Sequence, residues 1–434
     1  MDRTRLRVRL AELAETFRVP GVQVVIHHED QTWSWQRGVR RAGDVAPMTA
    51  DSAIPSGSLT KVVTAAAVVG LAEDGDLDLD EPLVDQAPGM GALSADLTPR
   101  HLLSHTGGLP SDGPVARAST LRRYVTDTCG DLTPVAEPGV LFSYSNFGYL
   151  LAGALVEATT GLTWAEAVRA VVLEPLGIPV RSVIDSAVPV SGHAVNRVAG
   201  RVRPVEQSLS AVQAPAGALA LSAAEWVTLG RALAGHEPET LLEPGSLKLM
   251  RATVPGAEPF GLADGWGLGL ATFGSGDSAC VGHDGNGDGT SVHLRMNPAT
   301  GTVVALSANA STGFAMWRAF AAELPAMGVP IADYDALPEL GQPVTPVADA
   351  VGDFANGDNV YTVRRSGRGL HLTVNSEPFA DLTTYPDLRF SMRDCDTGET
   401  DQAGRFLTRA DGGIGWVQLG GRLARRVDRV RAVA

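Results

Sequence analysis

The chain has 434 residues, 44% of them hydrophobic and 19% charged, enough for two or three domains with a sizeable buried core. A formal net charge of -14 argues against a nucleic-acid partner, which would need a basic face. No stretch is long and apolar enough to span a bilayer, and the charged start, Asp2 to Glu15, lacks a signal-peptide core, so a cytoplasmic protein without a membrane partner is expected.

Taken in chain order, apolar positions at helical spacing predict a helix over 5–17, followed by a strand over 19–27 and its hairpin partner over 33–39. Residues 59–71 are rich in alanine and valine and predict a buried helix with Ser58 at its N-terminus. A second buried helix is expected within 140–159, after the Pro138-Gly139 turn. Segments 266–273, 279–282, 291–297 and 302–308 read as successive strands broken by glycine-rich turns. Together these predict an α+β domain over 1–328, its sheet built from both ends and a helical region in the middle. Five prolines between Pro325 and Pro346 mark a linker, assigned to 329–347. Short alternating segments such as 361–363 and 370–374 then predict a small all-β domain over 348–434, of sandwich or barrel type.

The chemistry begins at Ser58-Leu59-Thr60-Lys61. Lys61 is one of two lysines set against 33 arginines. Arginine stays protonated, whereas a desolvated amine loses its proton and becomes a base toward a nearby hydroxyl. One helical turn places Lys61 on the face of Ser58, although a surface cation beside a capping serine would read the same way. Tyr144-Ser145-Asn146 holds the one Tyr-x-Asn among six tyrosines. A phenol beside an ammonium is expected to have its pKa lowered enough to relay protons, and a turn cap is the plainer alternative. Gly282-His283-Asp284-Gly285-Asn286 is expected between two strands, either as an oxyanion donor with an imidazole or as a polar turn.

These three motifs, in this order and approximate spacing, resemble the Ser-x-x-Lys, Tyr-x-Asn and Lys/His-x-Gly motifs of the serine β-lactamase and penicillin-binding-protein superfamily. The likeness is to its class C β-lactamase and D-aminopeptidase side and spans about residues 10–320. The stretches 102–109 and 266–269 resemble the same group. Two decoys fall away. His105-Thr106-Gly107 precedes Tyr144 and is assigned to a structural loop. The run 284–289 starts like a calcium loop but has Arg295 at its twelfth position. Three scattered cysteines, Cys129, Cys280 and Cys395, predict no metal site and a reducing compartment. No cofactor is called for.

Among members of that superfamily, the chain is similar to penicillin-binding-protein-type thioesterases, through residues 257–270, Gly282-His283-Asp284-Gly285 and Gly420-Gly421-Arg422. That resemblance implies a lipocalin-like C-terminal domain and a nonribosomal peptide on a carrier-domain thioester as substrate. It implies Ser58 as nucleophile, Lys61 as its base, and Tyr144 relaying protons with His283. Asn146, Gly285 and Asn286 would bind substrate, with the backbone N–H groups of Ser58 and Asn286 holding the oxyanion. Ala216 and Gly217 would line the acyl pocket and Arg422 would contact the residue bearing the attacking amine. Release as a head-to-tail macrolactam, with a D-residue at the acyl end, is then expected. A class C-type hydrolase (an esterase, or a D-amino-acid amidase or peptidase) and a non-catalytic binding protein are the competing readings.

Overall fold

The computed structural model describes residues 1–427 apart from 88–89, 91–94, 116–117, 186–187, 237–240, 336, 338 and 368. The expected second domain therefore reaches beyond the described residues over 428–434.

Helix α1 (Arg3–Thr16) leads into the hairpin of β1 (Gly21–His28) and β2 (Gln31–Gly38). Helices α2 (Thr60–Glu73), α3 (Asn146–Thr160) and α4 (Ala223–Ala234) follow. The chain then returns to the sheet through β3 (Gly265–Trp266), β4 (Ala271–Phe273), β5 (Cys280–Gly287), β6 (Thr290–Asn297) and β7 (Thr302–Ala308), and closes on α5 (Gly313–Ala321). The seven-stranded sheet has the order β2-β1-β7-β6-β5-β4-β3 and is antiparallel throughout. The N-terminal hairpin thus sits beside the last strand, as a sheet built from both ends requires.

Side-chain alternation assigns the two faces. Val22, Val24 and Ile26 join Leu6, Leu10, Trp317 and Phe320 under α1 and α5. Val25, Leu294, Met296 and Val303 pack instead with Trp226, Leu229 and Leu233 of α4. Helix α2 carries no charge between Lys61 and Glu73 and is buried from Thr60 to Leu71, as a helix apolar on all sides must be.

Two sequence expectations are corrected. The segment 266–273 is not one strand: Gly267 N–H donates to Leu270 O at 2.8 Å, and the turn presses Gly269 (φ +80°) onto Ala65 of α2. The His283-Asp284-Gly285 motif does not lie between strands either. It lies inside β5, and the chain reverses later, at Asp288-Gly289.

Strands β8 (Gly352–Asn356), β9 (Asn359–Ser366), β10 (Gly369–Val374), β11 (Glu377–Thr384), β12 (Arg389–Asp394), β13 (Thr400–Thr408), β14 (Ile414–Leu419) and β15 (Arg422–Val427) form a closed barrel. Phe354, Leu372, Phe390, Phe406 and Val417 fill its interior. The barrel docks on the first domain through polar contacts. Trp416 Nε1 donates to Val135 O at 2.8 Å, Gln418 Nε2 to Phe142 O at 3.2 Å, and Arg405 pairs with Glu258 at 2.9 Å.

Strand β5 runs against the turn that carries Ser58, and glycine on both sides permits it. A Cβ on Gly57 (φ +51°) would stand 2.3 Å from Asn286 O, and one on Gly285 would stand 2.0 Å from Ser56 O. Gly285→Ala is expected to destabilise the fold by about 1–3 kcal/mol, the usual range for overpacking, and to slow labelling of Ser58 by a fluorophosphonate. A denaturation midpoint and labelling rate equal to wild type would refute the close-approach argument.

Candidate active site

Ser58 sits in the short turn Gly57–Leu59 that feeds α2. Lys61, fully buried, places Nζ 3.0 Å from Ser58 Oγ and donates to Ala216 O at 2.8 Å. Burial, helped by the positive field of Arg422, holds its pKa well below 10.5. A neutral amine that donates to Ala216 O keeps its lone pair for the Ser58 hydroxyl, which is the geometry of a general base.

Tyr144 lies on the extended stretch before α3, with its hydroxyl in hydrogen-bonding reach of Ser58. Lys61 Nζ stands 5.2 Å over the centre of its ring and Arg422 at the same distance, 5.2 Å. The expected lowering of the phenol does not occur. Burial pushes it up to about 12, although Ser58 and Arg422 pull the other way. At neutral pH Tyr144 therefore keeps its proton and is a donor, leaving Lys61 as the base.

His283 is buried in β5, and its Nδ1 donates to Asp284 O at 2.6 Å, which leaves Nε2 with a bare lone pair. Burial and the nearby Lys61 bring its pKa down to about 3, so the ring is neutral. Among the described residues Nε2 has no hydrogen-bond partner, and the ring centre lies 6.1 Å from that of Tyr144. A direct Tyr144–His283 proton relay is thus not formed in the free protein.

The remaining candidates fall into separate places. Asn146, at the start of α3, donates to Asp112 Oδ1 at 2.8 Å. Gly285 forms no cavity wall but backs the Ser58 turn. A cavity of about 570 Å³ is lined by Tyr144, Leu262, Trp266, Phe273, His283 and Arg422. A second, of about 420 Å³, is lined by Gln207, Leu209, Ala216, Gly217 and Asp288. The two share Ser58, Asn146 and Asn286, so the serine stands where they meet.

His105 carries more weight than its sequence assignment to a structural loop conveyed. Its ring packs 4.3 Å from that of Tyr144, and its Nδ1 accepts from Ser145 N–H at 3.1 Å. Trp266 and Tyr149, 5.1 Å away on other sides, complete the aromatic backing. No local motif announces these contacts, because they join loops far apart in the chain. The calcium-like run is occupied otherwise: Asp284 is bound by Arg295 at 2.8 and 3.0 Å.

A half-buried serine paired with a buried lysine at a helix start, faced by a tyrosine and a sheet strand, defines a β-lactamase-fold serine hydrolase, and the comparisons agree. Residues 7–323 match the family described as Beta-lactamase, and the chain belongs to it. It is 30% identical to penicillin-binding protein 4 of Amycolatopsis lactamdurans over 326 residues, covering 71% of this chain and 85% of that protein. The crystal structure of SurE superposes with a TM-score of 0.87 at 35% identity, covering 98% of this chain and 99% of that one. SurE solved with D-Leu gives 0.84 at 35% identity over the same shares. An octameric penicillin-binding-protein homologue from Pyrococcus abyssi, 20% identical, shares the fold at a TM-score of 0.65 over 98% of this chain and all of its own. The α+β, β-lactamase-like fold with a lipocalin-like barrel is therefore established. No described helix is long and apolar enough to cross a membrane.

Lys61→Arg is expected to slow acylation of Ser58 by about 10²–10⁴-fold, since a guanidinium stays protonated and cannot serve as base. In wild type, protonation of Lys61 as pH falls removes the base, so labelling should decline toward acid through a limb well below 10.5. Near-wild-type labelling by the arginine variant, or a limb at the ordinary lysine pKa, would contradict the assignment.

Proposed function

We propose that the chain is a trans-acting peptidyl thioesterase and cyclase working inside the cell on a nonribosomal peptide held by a carrier domain. The observation that carries the reading is the pair of cavities meeting at Ser58. Hydrolysis needs room for one acyl chain and a water; aminolysis needs room for an acyl chain and a second peptide end.

In the first step Ser58 Oγ attacks the thioester carbonyl while its proton passes to Lys61 Nζ. The backbone N–H groups of Ser58 and Asn286 hold the oxyanion, the C–S bond breaks, and the thiol leaves with a proton delivered by Lys61 and Tyr144. The peptidyl-O-Ser58 ester lies in the Ala216–Gly217 cavity. In the second step the peptide's own amine, held in the cavity lined by Arg422, attacks that ester. His283 lines that cavity and backs the Tyr144 ring. The amine's proton returns through Lys61 to Ser58 as the amide forms. A tethered amine outcompetes water through its high effective molarity. SurE's structure with D-Leu supports a D-residue at the acyl end.

A peptidyl N-acetylcysteamine thioester ending in a D-residue is expected to yield a product one water lighter than the linear acid. Linear acid alone would instead make the chain a class C-type hydrolase. Arg422→Ala should shift products toward linear acid by roughly 10-fold or more, on the scale of one hydrogen bond to a charged group, about 1.5–3 kcal/mol. An unchanged product ratio would remove Arg422 from the amine site.

A further inference from the structure

The cavity beside Ala216 has an aliphatic wall of Val183, Leu209 and Ala216, and of the residues that line it Asp288 alone has a charged side chain. Asp288 stands two residues beyond Asn286, in the turn that joins β5 to β6, and faces the same space as Ser58. Its carboxylate is held from one side. Ser208 donates to Oδ2 through its backbone N–H at 2.8 Å and its hydroxyl at 2.7 Å. Gln207 clasps the turn backbone, its Nε2 donating to Asp288 O at 2.7 Å and its Oε1 accepting from Asp288 N–H at 3.2 Å. Among the described residues no hydrogen bond or ion pair engages Oδ1.

The turn does not itself require an aspartate. Asp-Gly is favoured in two-residue hairpins whose central positions both have positive φ, but here only Gly289 does, at +70°. Neighbouring charges do not cancel the carboxylate either. Arg181, two residues before Val183, is paired with Glu225 at 2.6 Å. Arg201 and Arg203 line a separate concavity with Ala194 and Ser311, and Arg422 lines the cavity on the other side of Ser58. The remaining charges at hand are acidic: Glu206 is exposed beside Gln207, and Asp112 is held by Asn146 at 2.8 Å. A long side chain with a cationic end matches both parts of this cavity. Its methylenes cover the aliphatic wall while its head reaches the carboxylate, a charge-assisted bond that an aliphatic side chain cannot make and that an acidic one would replace with repulsion.

We propose that Asp288 is a specificity-determining residue that selects peptides whose acyl-terminal D-residue carries an amine or guanidine side chain. Oδ1 receives the cationic head, and the strap at Gln207 and Ser208 keeps the carboxylate turned toward it. The assignment rests on the proposed function for which cavity holds the acyl chain and for the D-configuration, and it adds the chemical class of the residue that esterifies Ser58.

Acylation of Ser58 tests this without a carrier domain or a ring closure. The p-nitrophenyl esters of N-acetyl-D-lysine and N-acetyl-D-norleucine differ in little but the terminal ammonium. Release of p-nitrophenol should give a kcat/KM about 5-fold higher for the lysine ester, the upper range for an ion pair that water still reaches. The preference should shrink toward unity in about 1 M salt, which screens such a pair. Asp288→Asn keeps an acceptor for Ser208 and should bring the ratio to within about twofold of one, whereas Asp288→Glu should retain the lysine preference. A purely structural role for Asp288 would slow both esters together and leave their ratio unchanged. Equal rates in wild type, a lysine preference that survives in Asp288→Asn, or failure of both esters to acylate Ser58 overturns the proposal. A lysine preference with the esters, combined with linear acid alone from the peptidyl thioester, supports the role of Asp288 and counts against the proposed function only.

Discussion

Between Lys61 Nζ and Ser58 Oγ lie 3.0 Å that the rest of the site exists to maintain. An ammonium taken out of water costs several kcal/mol unless it is paired, and among the described residues no carboxylate is bonded to this one, whose partners are a hydroxyl and a carbonyl. The amine meets that constraint by giving up its proton, an option closed to each of the 33 arginines. Helix α2 supplies the dry surroundings and Ala216 O fixes the direction of the lone pair. The same burial that makes Lys61 a base makes Tyr144 a persistent acid and His283 a persistent neutral acceptor. One physical condition, exclusion of water, thus assigns three different protonation roles.

The barrel belongs to this arrangement rather than standing beside it. The extended residues before α3 cannot satisfy their backbone N–H groups within a helix or strand, and buried N–H groups must find acceptors. Ser143 N–H finds His105 O at 2.8 Å, Tyr144 N–H finds Gly421 O at 2.9 Å, and Ser145 N–H finds His105 Nδ1 at 3.1 Å. The catalytic-domain loop and the barrel's last turn therefore hold the tyrosine between them. Asn356 ties the two together again, accepting from Ser111 N–H at 2.7 Å and donating to Leu423 O at 2.7 Å.

What could be read in the sequence was what depends on local pattern. Apolar continuity marked α2, and glycine-rich turns marked off β6 and β7. The order of three short motifs marked the site. What could not be read depended on partners distant in the chain. The alternation Ser291-Val292-His293-Leu294-Arg295 resembles a strand with one wet face, yet Arg295 is 1% exposed because α5 covers it with Trp317. The direction of the Tyr144 shift was misjudged because motif spacing shows which groups are neighbours but not how little water reaches them. Gly285 reads as a ligand-binding position in a motif, while its structural task is to let two backbones approach.

Arg422 connects the barrel to the choice of nucleophile. After burial, its field is the next cause of the lowered Lys61 pKa. A substrate amine in the same cavity meets the same field, and only an unprotonated amine can attack an ester. The positive potential that frees the lysine lone pair therefore also favours the reactive form of the incoming amine, while a water molecule gains nothing comparable from it. That charge stands at the start of β15 and lines the cavity assigned to the nucleophile, not the acyl cavity beside Ala216. Under the proposed function, preference for amine over water then arises from where a cation is fixed, without any change to the serine-lysine chemistry shared across the family.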